Sequence, residues 1–211
     1  MRIRDFMTTN VVAVSEDTSL HDARKIMKAR KIRRLPVLKR DKLVGLVTEH
    51  MLLEAAPSPA TALSIHELQY LLAKMTAKDI MVKKPYSVSP DMPAEEALQL
   101  GQEMGYGAFP VVEDGKLVGI VTESDIVRVM TRVLGLRERG KRIDIRASRK
   151  FGNMKGIMEI LDEHKTALLS LMTLPRPEDE DWLVVLRIKS DNAQPIVKEL
   201  TSAGFNVTSV R

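Results

Sequence analysis

"GKLVGIVTESDI", Gly115–Ile126, repeats a phrase the chain has already written as "DKLVGLVTEHML", Asp41–Leu52. Thr48 and Thr122 lie 74 positions apart, and that offset carries the first unit onto the second without a gap. Asp5-Phe6-Met7 falls on Asp79-Ile80-Met81, Val14 on Val88, and Ala23 on Ala97. Leu35-Pro36-Val37 falls on Phe109-Pro110-Val111. An ungapped match of this length marks a duplicated unit, and each motif must be read within it.

Each unit has one order. A short β-rich piece ("VVAV" or "YSV") precedes a helix opened by "SEDTS" or "SPDMP", with Pro93 suited to a first turn. Then come two short apolar runs, "LPVL" and "LVGLV" or "FPVV" and "LVGIV". Arg40-Asp41 and Asp114-Gly115 separate them, which predicts hairpins. A second helix begins at Thr48 or Thr122. Between the units, Pro57-Ser58-Pro59 marks a linker, and Ser64 can cap a helical insert striped by Leu68, Leu71, Leu72 and Met75.

After "RVLGLRERGKR" the pattern changes. "RIDIRA" alternates as a strand with Ile143 and Ile145 on one face, and "GNMKGIMEILDEHK" is helical through Met154, Ile157, Met158 and Leu161. "ALLSLMTL" and "WLVVLRI" are apolar strands around the polar loop "PRPEDED". "NAQPIVKELTSAG" is a helix closed by Gly204, and "FNVTSV" is a last strand. This βαββαβ order is the ferredoxin-like split unit.

The chain's 44% hydrophobic content supports one or two cores, and 29% charged residues of both signs describe a globular surface. Zero cysteines exclude disulfides and thiolate chemistry and fit a reducing compartment. No apolar run reaches membrane-spanning length, and "MRIRDFMTTN" lacks the features of a secretory leader. A cytoplasmic protein without membrane attachment is expected. Net charge +5 and pI about 9.4 are a modest basic excess that favours anionic partners.

The D-h-M opening, the L/F-P-V strand and the G-h-V-T-E-x-D turn resemble the CBS domain, over about residues 1–134. Such domains occur as tandem pairs, Bateman modules, that bind adenosine-containing ligands and regulate other activities. The last segment, with its "FGNMKGIMEIL" turn around Gly152 and Asn153, resembles an ACT domain. CBS pairs followed by such a domain resemble proteins of the acetoin-utilisation type. Arg149, Lys150 and Phe151 replace the acid and proline usual before that glycine, which favours dimerisation over amino-acid binding there. The resulting expectation is an α+β chain. CBS repeat 1 spans 1–56, a linker with the helical insert 57–76, and CBS repeat 2 77–134; a basic hinge at 135–142 leads to an ACT-like domain at 143–211.

Thr122 and Asp125 are the sharpest site signal. By itself T-x-x-D is a capping pattern worth about 1 kcal/mol to its helix, and alone it favours the cap. A helix N-terminus, however, also offers unpaired N–H groups to a phosphate, Gly119 permits close backbone approach, and a carboxylate can accept from ribose hydroxyls. The CBS resemblance implies phosphate on Thr122 and ribose on Asp125. It further implies the base against Lys84, Pro85 and Tyr86 and against the Gly107-Ala108 turn. Met51 stands where repeat two has Asp125, so one nucleoside site per chain is expected. Arg33 and Arg34 are candidates to meet the phosphates from repeat one.

His21, His50, His66 and His164 show no metal-ligand spacing, and no nucleophile–base pair or phosphate-cradling glycine loop is legible. No catalytic residue, metal or required cofactor is therefore assigned. The expectation is a non-enzymatic, homodimeric regulator with an adenine nucleotide as effector: AMP, ADP, ATP or S-adenosylmethionine. A homodimeric scaffold with vestigial sites competes with it. So does nucleic-acid binding through Arg137, Arg139, Lys141 and Arg142.

Overall fold

Both predicted hairpins form, and the turn residues show why. In the computed structural model, which describes residues 1–55, 74–148, 152–175 and 181–211, Arg40 and Asp41 turn at φ +48° and +63°. Asp114 and Gly115 turn at +50° and +75°. Two consecutive positive φ values give the twist that a two-residue hairpin needs. The turns join β2 (Arg34–Lys39) to β3 (Lys42–Thr48) and β5 (Ala108–Glu113) to β6 (Lys116–Thr122). Each hairpin shifts register at the same place, between Val37 and Leu38 and between Val111 and Val112.

By concentration of contacts the chain divides into Met1–Ile126 and Val127–Arg211. In the first unit β1 (Val14–Ser15) runs parallel to β2, with Val14 opposite Val37. Val88 bridges Val111 in the same sense. Helix α1 (Leu20–Arg30) is capped by Ser19, whose hydroxyl accepts from Asp22 N–H, and it closes on Lys31 in the left-handed region. Its buried face, Leu20, Ala23 and Met27, packs with Leu35, Val37, Val47 and Leu52. Leu52 lies on α2 (Glu49–Glu54). In the second repeat α3 (Ala77–Ile80) opens the unit, and α4 (Ala94–Met104) closes on Gly105 at φ +68°.

The two repeats exchange their openings. Ile3 N–H bonds Met92 O at 3.0 Å and Arg4 N–H bonds Pro90 O at 2.9 Å. Their counterparts are Ala77 N–H to Thr18 O at 2.8 Å and Lys78 N–H to Glu16 O at 3.0 Å. Thr8 pairs with Ile120, while β4 (Val82–Lys83) pairs with β3 through Leu46 and Gly45. Ile3 and Ala77 are fully buried by this docking. Arg2 and Arg4 hold Asp91 outside, and Arg4 also reaches Glu113.

Helix α5 (Glu123–Val133) follows β6. In the second unit β7 (Lys141–Ser148), α6 (Asn153–Glu163), β8 (Leu168–Pro175), β9 (Asp181–Ile188), α7 (Gln194–Ser202) and β10 (Asn206–Val210) take the βαββαβ order. The sheet order β10-β7-β9-β8 is antiparallel throughout. Ile143 and Ile145 are buried against Ile157, Leu161, Ile196 and Leu200. The buried face of α6 includes Ile160, whereas Met158 points to solvent at 36% exposure, so the helical face is rotated from the predicted stripe.

The stretch expected as a hinge at 135–142 is tied down. Ser170 Oγ donates to Leu134 O, and Arg187 donates to the carbonyls of Gly135 and Glu138. Lys141 and Arg142 already belong to β7, and Arg142 is engaged by Asp144 at 2.7 Å. The predicted insert helix through Ser64, Leu68, Leu71 and Leu72 lies outside the described residues, as do Arg149, Lys150 and Phe151.

Candidate nucleotide cleft

The Thr122–Asp125 pair forms a complete capping box. Asp125 Oδ2 accepts from Thr122 N–H at 3.0 Å and from Thr122 Oγ1 at 2.6 Å. Thr122 Oγ1 accepts in return from Asp125 N–H at 3.3 Å. The carboxylate therefore fixes the first turn of an 11-residue helix. Its repeat-one counterpart is half as complete: Thr48 Oγ1 accepts from Met51 N–H at 3.3 Å, and Met51 returns nothing.

A cavity of about 380 Å³ opens beside Thr122, Ser124 and Asp125. Repeat one supplies its other walls: Thr8, Asn10, Val11 and Val12 from the opening, and Lys31, Ile32, Arg33 and Arg34 from the turn before β2. The structure thus brings together Thr122, Asp125, Arg33 and Arg34, in a volume typical of small-molecule sites. Partial burial, and then the neighbouring Arg33, lower Arg34 from its ordinary value, against the opposing pull of Glu123 and Asp125.

Pro85, Tyr86, Gly107 and Ala108 are not in that cleft. They line a second cavity, about 490 Å³, together with Thr48, Met51, Tyr106, Arg33 and Arg34. The exchange of openings is the cause. Because Thr8 pairs with Ile120, positions 8–12 face the Thr122 helix; because Val82 pairs with Leu46, positions 82–86 face the Thr48 helix. Lys84, at φ +49°, donates its N–H to Val44 O on the repeat-one hairpin. Gly119 accommodates protein instead of ligand, since a Cβ there would stand 2.6 Å from Met7 Sδ and 3.2 Å from Thr8 O.

Arg33 and Arg34 front both cavities. Arg33 O accepts from Glu49 N–H, as Gly107 O accepts from Glu123 N–H. Arg34 crosses to the other repeat, where a Cβ on Gly107 would lie 2.7 Å from its terminal nitrogen. Lys31, Asn10 and Thr8 escaped the sequence reading. The offset of 74 could have found Thr8 and Asn10, because it maps Val82–Tyr86 onto Thr8–Val12, but only with the exchange in mind; Lys31 maps onto Gly105, which gives no such signal. Gly152, at φ +97°, and Asn153, whose amide donates to Ser148 O and Oγ, form the turn into α6 and belong to the second unit.

Residues 3–58 and 77–132, over half of the chain, match the model of the CBS domain. The chain belongs to the CBS domain family. Its CBS pair is similar to CBSX2 of Arabidopsis thaliana in complex with AMP, at 34% identity and TM-score 0.51, covering 63% of this chain and 98% of that one. It is also similar to a candidate acetoin utilization protein (AcuB) from Vibrio cholerae, at 29% identity and TM-score 0.53, covering 65% and 95%. An uncharacterized 33.4 kDa protein in the ribosomal RNA operon of Thermofilum pendens is 31% identical over 137 residues, 64% of this chain and 46% of that one. The chain thus spans about half the length of that relative. Among the described residues, no helix is long and apolar enough to cross a membrane.

Proposed function

We propose that this protein is a non-enzymatic regulator whose CBS pair takes an adenine nucleotide, AMP, ADP, ATP or S-adenosylmethionine, in the Thr122–Asp125 cleft. The observation that carries this reading is the composite wall. A carboxylate one turn inside a helix and two arginines from the other repeat converge on one cavity of about 380 Å³. Asp125 would accept from the ribose hydroxyls, and the arginines would take phosphate oxygens as charge-assisted donors. The base would lie against Val11, Val12 and Ile32, in place of the Tyr86 wall first expected. The AMP complex of the similar CBSX2 supports the ligand class.

In this reading the nucleotide biases the angle between the two repeats, and the signal passes through homodimers. The βαββαβ domain, ACT-like in its element order, supports self-association. A ligand shifts such an equilibrium only by its difference in affinity between the conformations. Calorimetric titration of the full chain with the four nucleotides tests this, combined with the oligomeric state in their presence and absence. A scaffold with vestigial sites has one observation in its favour, the engagement of Asp125 with its own helix turn. Absence of binding by all four nucleotides, with a constant dimer, would establish it.

A further inference from the structure

The larger cavity, about 490 Å³ at Met51, differs in chemistry from its counterpart at Asp125. Nucleosides are disfavoured there, because ribose hydroxyls buried without a partner cost about 1–3 kcal/mol each, Met51 offers no strong acceptor, and the one carboxylate of the lining, Glu49, is exposed at its edge. Its walls are instead aromatic and apolar. Tyr86 and Tyr106 each meet the buried Phe109 edge-on, with ring centres 6.2 and 6.1 Å away, yet remain 45% and 39% exposed. Rings braced in this way present surface to a ligand at small entropic cost. Leu46, Val82 and Pro85 extend the apolar face.

Charge selects the rest of the ligand. Arg33 and Arg34 both front this cavity, and against them the lining sets the single carboxylate of Glu49, an exposed side chain. Thr48 Oγ1 accepts from Met51 N–H, so its own hydrogen can be donated, whereas the Thr122 hydroxyl is already given to Asp125. We propose that the Met51 cavity is a second ligand site, which binds a small aromatic acid without a ribose: its ring against Tyr86 and Tyr106, its anionic group on Arg33, Arg34 and the Thr48 hydroxyl. A ligand here does not require that a nucleotide bind at Asp125, although Arg33 and Arg34 front both cavities.

The test uses 1-anilinonaphthalene-8-sulfonate, an aromatic sulfonate, as a fluorescent probe titrated into the 211-residue chain. Saturable binding is expected. Tyr106→Ala weakens it about tenfold, equivalent to about 1.4 kcal/mol, and Met51→Asp, which places a carboxylate beside the sulfonate, weakens it at least as much. Lys31→Ala, which removes a cation of the other cleft only, leaves the affinity within about twofold. Thermal melts establish that each variant is folded; if Tyr106→Ala is not, Met51→Asp and Arg34→Ala decide. The proposal is overturned by non-saturable binding, by affinity indifferent to Tyr106→Ala and Met51→Asp, or by an equal loss in Lys31→Ala.

Discussion

Replacing Asp125 by alanine separates the two roles the geometry gives this carboxylate. As a cap, Oδ2 satisfies Thr122 N–H at 3.0 Å and Thr122 Oγ1 at 2.6 Å in a partly buried setting. Losing it costs about 1–2 kcal/mol, the range for capping residues and for hydrogen bonds to charged groups. In a unit the size of Met1–Ile126 that lowers Tm by about 3–8 °C. As a ribose acceptor, it loses two charge-assisted hydrogen bonds, about 2–3 kcal/mol, so nucleotide affinity falls about 30- to 150-fold. Met51→Ala, at the matching position of repeat one, leaves nucleotide affinity within about twofold. Asp125→Asn restores part of the cap, because its amide oxygen still accepts from Thr122 N–H, yet it recovers little binding. Calorimetry gives the affinities, and circular dichroism melts give the stabilities. A Tm drop of this size with unchanged affinity refutes the ligand role and leaves a helix cap alone.

Asp41 sits at φ +63° where repeat two has Gly115 at +75°, so Asp41→Gly is expected to stabilise the first unit by about 1 kcal/mol in chemical denaturation. Gly135→Ala should destabilise the second unit by about 1–2 kcal/mol, because φ is +65° and the new Cβ would meet Leu169 Cβ at 3.0 Å. The Asp79 carboxyl is held below its ordinary value by the N–H and hydroxyl of Thr76. Its protons therefore bind more readily in the unfolded state, and its contribution is present above about pH 4 and lost as pH falls through the lower folded value. Acid unfolding of Asp79→Asn should accordingly show a flatter limb below about pH 4 than the parent chain. Gly119→Ala forces a methyl to 2.6 Å from Met7 Sδ, an overpacking cost of about 1–3 kcal/mol. A double-mutant cycle with Met7→Ala, read by denaturation, should recover more than half of it; full additivity would deny the contact.

Features governed by near neighbours were legible in the sequence. The hairpin turns were, because two polar residues between apolar runs leave the chain few options, and Arg40-Asp41 and Asp114-Gly115 take the positive φ values required. So was the alternation of Ile143 and Ile145, both fully buried in β7. The capping pattern of Thr122 and Asp125 was visible from spacing alone. What stayed hidden depends on which repeat faces which. No local pattern says that residues 8–12 complete the cleft of the second repeat, or that Tyr86 belongs with Met51. The buried face of α6 is hidden for a similar reason: Met158 and Ile160 are both apolar, and only the sheet beneath decides which is covered.

The exchange of openings also explains why two distant motifs travel together in each repeat. The methionine of one D-h-M opening lies over the glycine of the other repeat's G-h-V-T strand: Met7 over Gly119, and Met81 over Gly45. Each glycine lets the partner's opening come close enough to pair, through Thr8 with Ile120 and Lys83 with Gly45. That pairing sets residues 8–12 and 82–86 in front of the opposite helix start. The clefts at Thr48 and at Thr122 are consequently composite, each with its cap from one repeat and part of its face from the other. A single difference between the repeats therefore has a crossed effect. Methionine in place of aspartate at position 51 alters the cleft walled by Tyr86 and Tyr106, while the cleft that keeps Asp125 is walled by repeat one. Arg33 and Arg34 face both, so an anion held in either cleft draws on the same two guanidinium groups. Two ligands that compete for one pair of cations must weaken each other's binding equally, by reciprocity of linkage. Duplication with aspartate at 125 and methionine at 51 thus gives two clefts of different chemistry, joined through the arginine charges that front both.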